Sequence, residues 1–362
     1  MSAVNPLADQ LARVARARRA RPGLSDPHVT LSHGSGGKAM HHLIEAVIAP
    51  AFGPPLAETL EDSAVVSADG LGPGRLALTT DAYVVSPLFF PGGDIGSLAV
   101  HGTVNDLAVA GAVPQWIAAG FILEEGLAMD VLSRVVASMA RAAAACGVRI
   151  VTGDTKVVPR GKADGLFIVT TGAGVVRPGV ALSYAAARPG DRVLLSGPIG
   201  DHGLAVLLAR EALEIEAEVA SDSAPLHTLA AAVLEAAPRT RCLKDPTRGG
   251  LATSLNEIAA ACGSAIAVDE TRVPVRPAVR AACEILGLDP LYIANEGRLV
   301  AVVPADEAGA ALAAMRADPL GGAAVDIGEV IAEPEGMVLL RTAAGGTRVV
   351  DMLAGDPLPR IC

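Results

Sequence analysis

Apolar and polar positions alternate along this chain in two rhythms. Apolar residues recur at helical spacing through "AMDVLSRVVASMARAAAACG", which predicts a long helix stopped by its glycine. The stretch "DIGSLAVHGTVNDLAVAGA" predicts a second helix, opened by Asp94 and closed near Gly111. Around them, "GRLALTTDAYVV" reads as a strand running into a loop, and "QWIAAGFIL", "RIVTGDTKVV" and "GLFIVTTGAGVV" read as further strands. In "ARPGDRVLLSG", turn residues precede a fresh strand, which puts a domain boundary near residue 186. Beyond it come helices around 201–213 and 225–236, the loop "KDPTRGG", a helix to about 262, and strands "AIAVD" and "RLVAVVP". Strict βαβ periodicity is missing, so the pattern predicts an α+β fold with mixed sheets rather than a Rossmann fold. The expected organisation is a peripheral, flexible extension over 1–27, domains over 28–186 and 187–351, and a flexible tail over 352–362. Pro357 and Pro359 forbid a helix in that tail and bar it from a central strand.

Composition narrows this picture. A chain of 362 residues, 51% hydrophobic and 19% charged, can bury two cores and does not read as disordered. Aromatics are 2% of residues, with Trp116 the single tryptophan, so surfaces for stacking bases are scarce. A net charge of -10 argues against nucleic-acid or acidic-membrane partners. The local exception is Arg13, Arg16, Arg18, Arg19 and Arg21. A targeting presequence can look like this, but a solvated, frayed helix explains it more simply. No apolar run reaches the 18 residues of a membrane span, and the five cysteines form no C-x-x-C pair. Reduced thiols and a cytoplasmic location follow as expectations. Core packing accounts for most of Cys146, Cys242, Cys262 and Cys283, whereas Cys362 sits in "GDPLPRIC" with no apolar context.

Candidate chemistry gathers on carboxylates and glycine loops. Asp62 precedes an apolar strand, Asp81 lies at a strand end, and Asp245 opens "DPTRGG". Each alone reads as a turn or cap residue. Asp106 is different, because a carboxylate among Leu107, Ala108 and Val109 needs a partner. Several carboxylates without a Cys/His cluster suit a hard cation such as Mg²⁺. The loops "HGSGGK", "PGGDIG", "SGPIGDHG" and "DPTRGG" can form backbone anion nests, and Lys38 adds a mobile charge. "HGSGGKAM" is not a Walker A motif, since Ser32 and Ala39 break it. Singly these loops are turn chemistry; together with the carboxylates they point to a nucleotide with magnesium. Lys156 in "TGDTKVV" and Glu296 in "ANEGRLV" read either as surface ion-pair partners or as an acid–base pair.

The segments "LSHGSGGKAM", "LEDSAVV", "PLFFPGGDIGSLAVHGTVNDLAVAGA", "TGDTKVV", "SGPIGDHG", "DPTRGGLATSLNEIA", "CEILGLDPLYIANEG" and "LPRIC", in this order, resemble the HypE family of [NiFe]-hydrogenase maturation proteins. The resemblance runs from about residue 28 to 362 and excludes the Arg-rich extension. It implies a PurM-like (AIR synthetase-related) fold, in which the N-terminal domains of two copies form a homodimer with a central β-barrel and a C-terminal α/β domain follows. It further implies Mg²⁺ and ATP held at Asp62, Asp81, Asp106 and Asp245. A phosphate loop of His33, Gly34, Gly36, Gly37 and Lys38 would close over the nucleotide, with Asn105 and Asp154 as further nucleotide contacts. In that family a HypF carbamoyltransferase loads the terminal cysteine, here Cys362, and ATP-dependent dehydration turns the carbamoyl group into a thiocyanate. The cyanide then passes to iron held by a HypC–HypD complex. Lys156 and Glu296 are the residues expected to act on the carboxamide. Eleven residues, Met352 to Cys362, reach roughly 36 Å when extended, enough to visit both a partner and the ATP site.

Two other readings compete. A selenophosphate synthetase-like phosphotransferase would place Cys or selenocysteine in the first glycine loop, and "HGSGGK" has neither. A non-enzymatic carrier would use the tail without ATP turnover.

Overall fold

The computed structural model describes residues 37–48, 61–67, 74–211, 218–353 and 360–362. The extension over 1–27, together with His33, Gly34 and Gly36, lies outside the described residues.

Alternation in the first half becomes one open five-stranded sheet. Its strands are β1 (Ala64–Ser67), β2 (Arg75–Tyr83), β5 (Ala112–Glu124), β6 (Arg149–Val158) and β7 (Leu166–Val176), in the order β1-β2-β7-β5-β6. A small hairpin of β3 (Phe89–Phe90) and β4 (Gly93–Asp94) stands apart. On β7 every second side chain is buried, as a strand with one covered face requires. That face is covered by α2 (Ile95–Val109), backed by α3 (Met129–Cys146). Ahead of the sheet, Lys38–Leu43 forms the short helix α1. The start of α2 is fixed by Asp94, whose carboxylate accepts from Gly96 N–H at 2.8 Å and Ser97 N–H at 3.2 Å, while Ser97 Oγ accepts from Asp94 N–H. Gly147 ends α3 in the left-handed conformation, φ 69°. Both helix ends agree with the sequence reading.

In the second half the strands are β8 (Arg192–Leu195), β9 (Cys242–Lys244), β10 (Ala265–Asp269), β11 (Val300–Val303), β12 (Val325–Ile331), β13 (Val338–Arg341) and β14 (Thr347–Val350). They form a mixed sheet in the order β14-β13-β10-β12-β8-β11-β9, with β10 and β13 the parallel pair. Its helices are α4 (Asp201–Glu211), α5 (His227–Ala236), α6 (Gly250–Cys262), α7 (Pro277–Leu286) and α8 (Ala308–Ala317). Val193, Leu195, Val300 and Val302 pack with α6 on one face, while Leu194, Ala301 and Val303 pack with α5 and α8 on the other. Burial on both faces explains why β11 reads as a continuous apolar run.

The two halves meet at α2. Ala108 and Val109, at its C-terminal end, belong to the α5–α8 core. Asp106 is thereby carried to the junction.

Among the described residues, none covers the outer face of the first sheet. Leu78, Trp116, Val169 and Val175 on it are 40%, 38%, 37% and 42% exposed, and edge strand β6 is exposed along nearly its whole length. The sheet does not close into a barrel within one chain.

The tail expected to be free has its last three residues packed. Ile361 is buried in the core that includes α2 and α3, and Cys362 lies against it. Positions 354–359 are outside the described residues.

Candidate active site

Three carboxylates converge at the junction. Ligand oxygens of Asp62, Asp106 and Asp245 all lie within 4.8 Å of one another. Asp62 stands just before β1, Asp106 on the last turns of α2, and Asp245 directly after β9. Thr79 Oγ1 on β2 pins the first two by donating to Asp106 Oδ2 at 2.6 Å and to the Asp62 carbonyl at 3.1 Å. Asp81, two residues along the same face of β2, accepts from Tyr83 at 3.1 Å and feels the charges of Asp62 and Arg248. It borders the cluster without belonging to the group of three.

Crowding of like charges in a buried place has a measurable signature. Burial, then the Asp81, Asp245 and Asp62 charges, push Asp106 well above the usual carboxylate range. Burial and Asp62 raise Asp245 to about 7, against the opposing pull of Lys244. Asp245 Oδ2 is buried with no hydrogen-bond partner, a costly state for an oxygen anion. An oxygen-only donor set with one orphaned oxygen fits a hard divalent cation.

A second layer of charge holds this cluster from behind. Lys244, on β9, reaches Asp62 Oδ1 at 2.6 Å and Glu257 Oε2 at 3.0 Å. Burial alone would lower its pKa, but the Asp62 and Glu257 carboxylates more than offset that and keep it charged. Burial likewise pushes Glu257 up, and Lys244 and His41 overcome it. Tyr184 donates to Asp62 Oδ2 at 2.5 Å. Sequence reading missed Lys244, Glu257, His41 and Tyr184. Lys244 was visible only as the first letter of "KDPTRGG", where nothing marks it as buried.

The glycines of that loop set its path. Gly249 and Gly250 take φ values of 77° and 63°. A Cβ at Gly250 would stand 2.6 Å from the Leu291 carbonyl and 2.7 Å from that of Ile293. This close approach brings the loop against the segment carrying Glu296. Glu296 is 2% exposed. Burial, then Asp245, Asp222 and Asp81, push it well above the ordinary value. The sequence reading left it as either a surface ion-pair partner or a member of an acid–base pair. Here its proton is held more tightly, which makes it a stronger base once that proton has been given up.

Gly37 and Lys38, the described end of the first glycine loop, contact the root of the tail. Lys38 N–H donates to the Leu353 carbonyl at 3.0 Å, and Lys38 Nζ pairs with Asp351 at 2.5 Å. A Cβ at Gly37 would lie 2.6 Å from that same carbonyl oxygen.

Three candidates fall elsewhere. Asn105 is fully buried and its amide is spent: it donates to the carbonyls of Ala224 and Glu296 at 3.1 and 3.2 Å and accepts from Leu226 N–H at 2.7 Å. Asn105 positions the Glu296 loop, and no donor is left over for a nucleotide. Asp154 and Lys156 pair with each other at 2.8 Å, 69% and 71% exposed. They lie opposite Gly120 and Ile122 on the uncovered face, whereas Asp81 and Asp106 are on the covered one. β6 is also three strand spacings, about 14 Å, from β2. One copy of the chain does not bring Lys156 and Asp154 to the carboxylates.

Cys362 does approach. Its main-chain oxygen accepts from Val84 N–H at 3.0 Å, one residue beyond Tyr83. Arg248 is raised above its usual value first by the negative charge at Cys362, and also by Asp81 and Glu296. Arg248 therefore feels the negative charges of Cys362, Asp81 and Glu296 together. It was legible only as the Arg within "DPTRGG".

Comparison with known proteins gives this geometry relatives. Residues 60–176 match the family model for the N-terminal domain of AIR synthase related protein, and 188–340 match that for the C-terminal domain. The chain is 56% identical to the carbamoyl dehydratase HypE of Azotobacter vinelandii over 94% of this chain and 99% of that one. It is 48% identical to that of Escherichia coli K12, over 92% and 99%. A crystal structure of a HypE–HypF complex aligns with TM-score 0.81 and 46% identity, covering 86% of this chain and 99% of that one. A crystal structure of the maturation protein HypE in complex with ATP aligns at 0.77 and 51%, covering 92% and 100%.

Proposed function

Since this chain belongs to the HypE family of carbamoyl dehydratases, within the AIR synthase-related group, we propose that it makes the cyanide precursor for [NiFe]-hydrogenase maturation on its own Cys362. The reaction is ATP-dependent dehydration of Cys362–S–C(O)NH₂ to Cys362–S–C≡N. The observation that carries this reading is the main-chain oxygen of Cys362 bonded to Val84 N–H, next to Tyr83, whose hydroxyl bonds Asp81 at the border of a carboxylate cluster built for a cation.

The chemistry needs a nucleotide because hydroxide leaves a carboxamide carbon poorly. Transfer of the γ-phosphoryl group to the carboxamide oxygen converts that oxygen into phosphate, a good leaving group. The nitrogen gives up two protons as the triple bond forms, and the products are ADP, phosphate and the thiocyanate. Asp62, Asp106 and Asp245 would hold Mg²⁺, with Asp81 alongside. That ion would neutralise charge on the phosphates. Glu296, buried and with its pKa raised well above the ordinary carboxylate value, is assigned as proton acceptor from nitrogen once it has given up its own proton. Arg248 is assigned to the developing charge on the phosphorylated oxygen, a role that fixed donors perform well.

Two further assignments belong to the same reading. A HypF-type carbamoyltransferase loads Cys362, in keeping with the HypE–HypF complex among the similar structures, and a HypC–HypD complex accepts the cyanide. Two copies of the chain pair through the uncovered face of the first sheet, whose exposed Leu78, Trp116, Val169 and Val175 are costly to leave in water. That pairing covers Lys156 and Asp154 and gives them their route to a carboxamide.

Mass spectrometry of the C-terminal peptide tests the proposal. Incubation with the carbamoyltransferase and carbamoyl donor should add a carbamoyl group to Cys362. Later addition of Mg-ATP should remove one water from the adduct. An adduct that stays intact with ATP would reduce this chain to a carrier.

A further inference from the structure

Three residues at the end of the chain lie in a cradle whose walls the reaction chemistry does not use. Ser86 N–H donates to the Arg360 carbonyl at 3.2 Å and Val84 N–H to the Cys362 main-chain oxygen at 3.0 Å. Arg360 Nε returns a bond to the Val84 carbonyl at 3.0 Å, and its guanidinium also pairs with Asp164. The chain end thus adds an extra strand-like segment beside residues 84–86, a mode in which main-chain bonds set the register. Ile361 between them is 5% exposed and fills an apolar pocket.

From the other side, α4 supplies two polar side chains. His202, fully buried, places Nε2 at 2.6 Å from the Ile361 carbonyl. Its Nδ1 is 2.8 Å from Ser221 Oγ, which accepts from Ser223 N–H at 3.0 Å. Ser221 N–H in turn donates to the Pro91 carbonyl at 2.7 Å. The Ile361 carbonyl can only accept, so the ring proton sits on Nε2, facing the tail, and Nδ1 of the neutral ring accepts the Ser221 hydroxyl proton. The ring is packed edge-on against Phe90 at 5.5 Å. Burial lowers its pKa to about 4, consistent with a neutral ring and this single tautomer. Arg210, one helical face further along, donates from Nη2 to the Arg360 carbonyl at 2.5 Å and from Nε to the Ser86 carbonyl at 2.8 Å.

We propose that His202 and Arg210 are positioning residues that clamp the Arg360–Ile361–Cys362 segment in one register, so that residue 362 and no neighbour presents its side chain to Arg248 and Glu296. The role assigned to Cys362 is taken from the reading above, but the clamp itself is a property of the unmodified chain. Each carbonyl of residues 360 and 361 is met by a specific donor, and Ile361 fits the apolar pocket. A one-residue slip would put Cys362 in that pocket and leave the His202 and Arg210 donors facing mismatched groups.

The test compares full-length wild type with His202→Leu, His202→Gln and Arg210→Met. Unmodified protein is alkylated with iodoacetamide without ATP, and peptide masses give separate rates for Cys362 and for Cys262, which is also partly exposed. His202→Leu should speed Cys362 alkylation on the order of ten-fold, from one buried carbonyl losing its donor, while Cys262 stays at the wild-type rate. His202→Gln retains an N–H donor of similar reach and should bring the rate back. Arg210→Met, on the partly exposed edge of the cradle, should speed Cys362 as well and guards against a folding defect at position 202. In carbamoylated protein, dehydration should slow in His202→Leu and recover in His202→Gln. Equal acceleration at Cys262, or an unchanged Cys362 rate in both His202→Leu and Arg210→Met, would overturn the clamp. Absence of dehydration in every protein, with the alkylation pattern as expected, would sink the dehydratase reading and leave the clamp standing.

Discussion

Neutralising Asp245 should stabilise the metal-free protein while abolishing its response to Mg-ATP. In the structure Asp245 is 2% exposed, one of its oxygens has no partner, and its pKa stands at about 7 instead of 3.8. Such a rise corresponds to about 4 kcal/mol of disfavoured ionisation, an upper bound on what Asp245→Asn can recover. The lost attraction to Lys244 takes part of it back. The sign follows from linkage. A carboxyl raised on folding costs nothing below its unfolded pKa, costs progressively more as pH rises from about 4 to about 7, and carries its full cost above that.

Thermal melts in EDTA should therefore show the variant level with wild type near pH 4. The variant should exceed it by several degrees at pH 8, at about 2 °C per kcal/mol for a chain of this size. With Mg-ATP at about a hundred times its dissociation constant, wild type should gain about 2.7 kcal/mol and the variant almost nothing. A variant that melts below wild type in EDTA at pH 8, or that keeps the wild-type shift with Mg-ATP, would refute the cation-site reasoning.

Three further outcomes are expected. Glu296→Gln should accept the carbamoyl group yet stall before the thiocyanate, losing at least a hundred-fold in rate as removal of a general base does; unimpaired thiocyanate formation, read by peptide mass, removes Glu296 from the chemistry. Cys362→Ala should keep its fold and Mg-ATP response but lose carbamoylation completely. Burial pushes the other thiols up, Cys146 and Cys283 to about 11, so transfer to any of them would contradict this. Val169→Lys, on the uncovered sheet face, should give a folded monomer in sedimentation velocity; a dimer of undiminished affinity would place the proposed pairing elsewhere.

Periodicity carried the architecture well where burial is one-sided. α3 and α2 were bounded within a residue or two because Gly147 and Asp94 are local signals with local causes. The first sheet followed from alternation. The last part of the second sheet was less legible: α7, α8, β12 and β13 were not assigned, and β13, with only four residues, alternates over too short a run to stand out. At the site, Asp106 could be picked out because a carboxylate inside an apolar helix needs a partner, whereas Asp62 and Asp245 read singly as turn or cap residues and joined it through the glycine loops and the family resemblance. The Lys244–Glu257–His41 layer could not, since a lysine and a glutamate 13 positions apart look like ordinary surface charges until folding buries both. Asn105, a nucleotide contact by the resemblance, spends its three bonds on main-chain groups distant in sequence, which no local pattern announces.

Lys156 then sharpens the question of what completes the site. In one copy it is 71% exposed, paired only locally with Asp154, and on the wrong face of the sheet to reach Asp106. The same face carries Leu78, Trp116 and Val169, whose exposure to water is unfavourable. Covering that face removes both difficulties together. It buries apolar area, and it brings Lys156 out of bulk water, where its nitrogen can act on a carboxamide at close range. A lysine that is idle in the single chain and active once the face is covered would tie dehydration to pairing. The Val169→Lys monomer should then bind Mg-ATP normally at Asp62, Asp106 and Asp245, dock its tail normally through His202, and still fail to complete the thiocyanate.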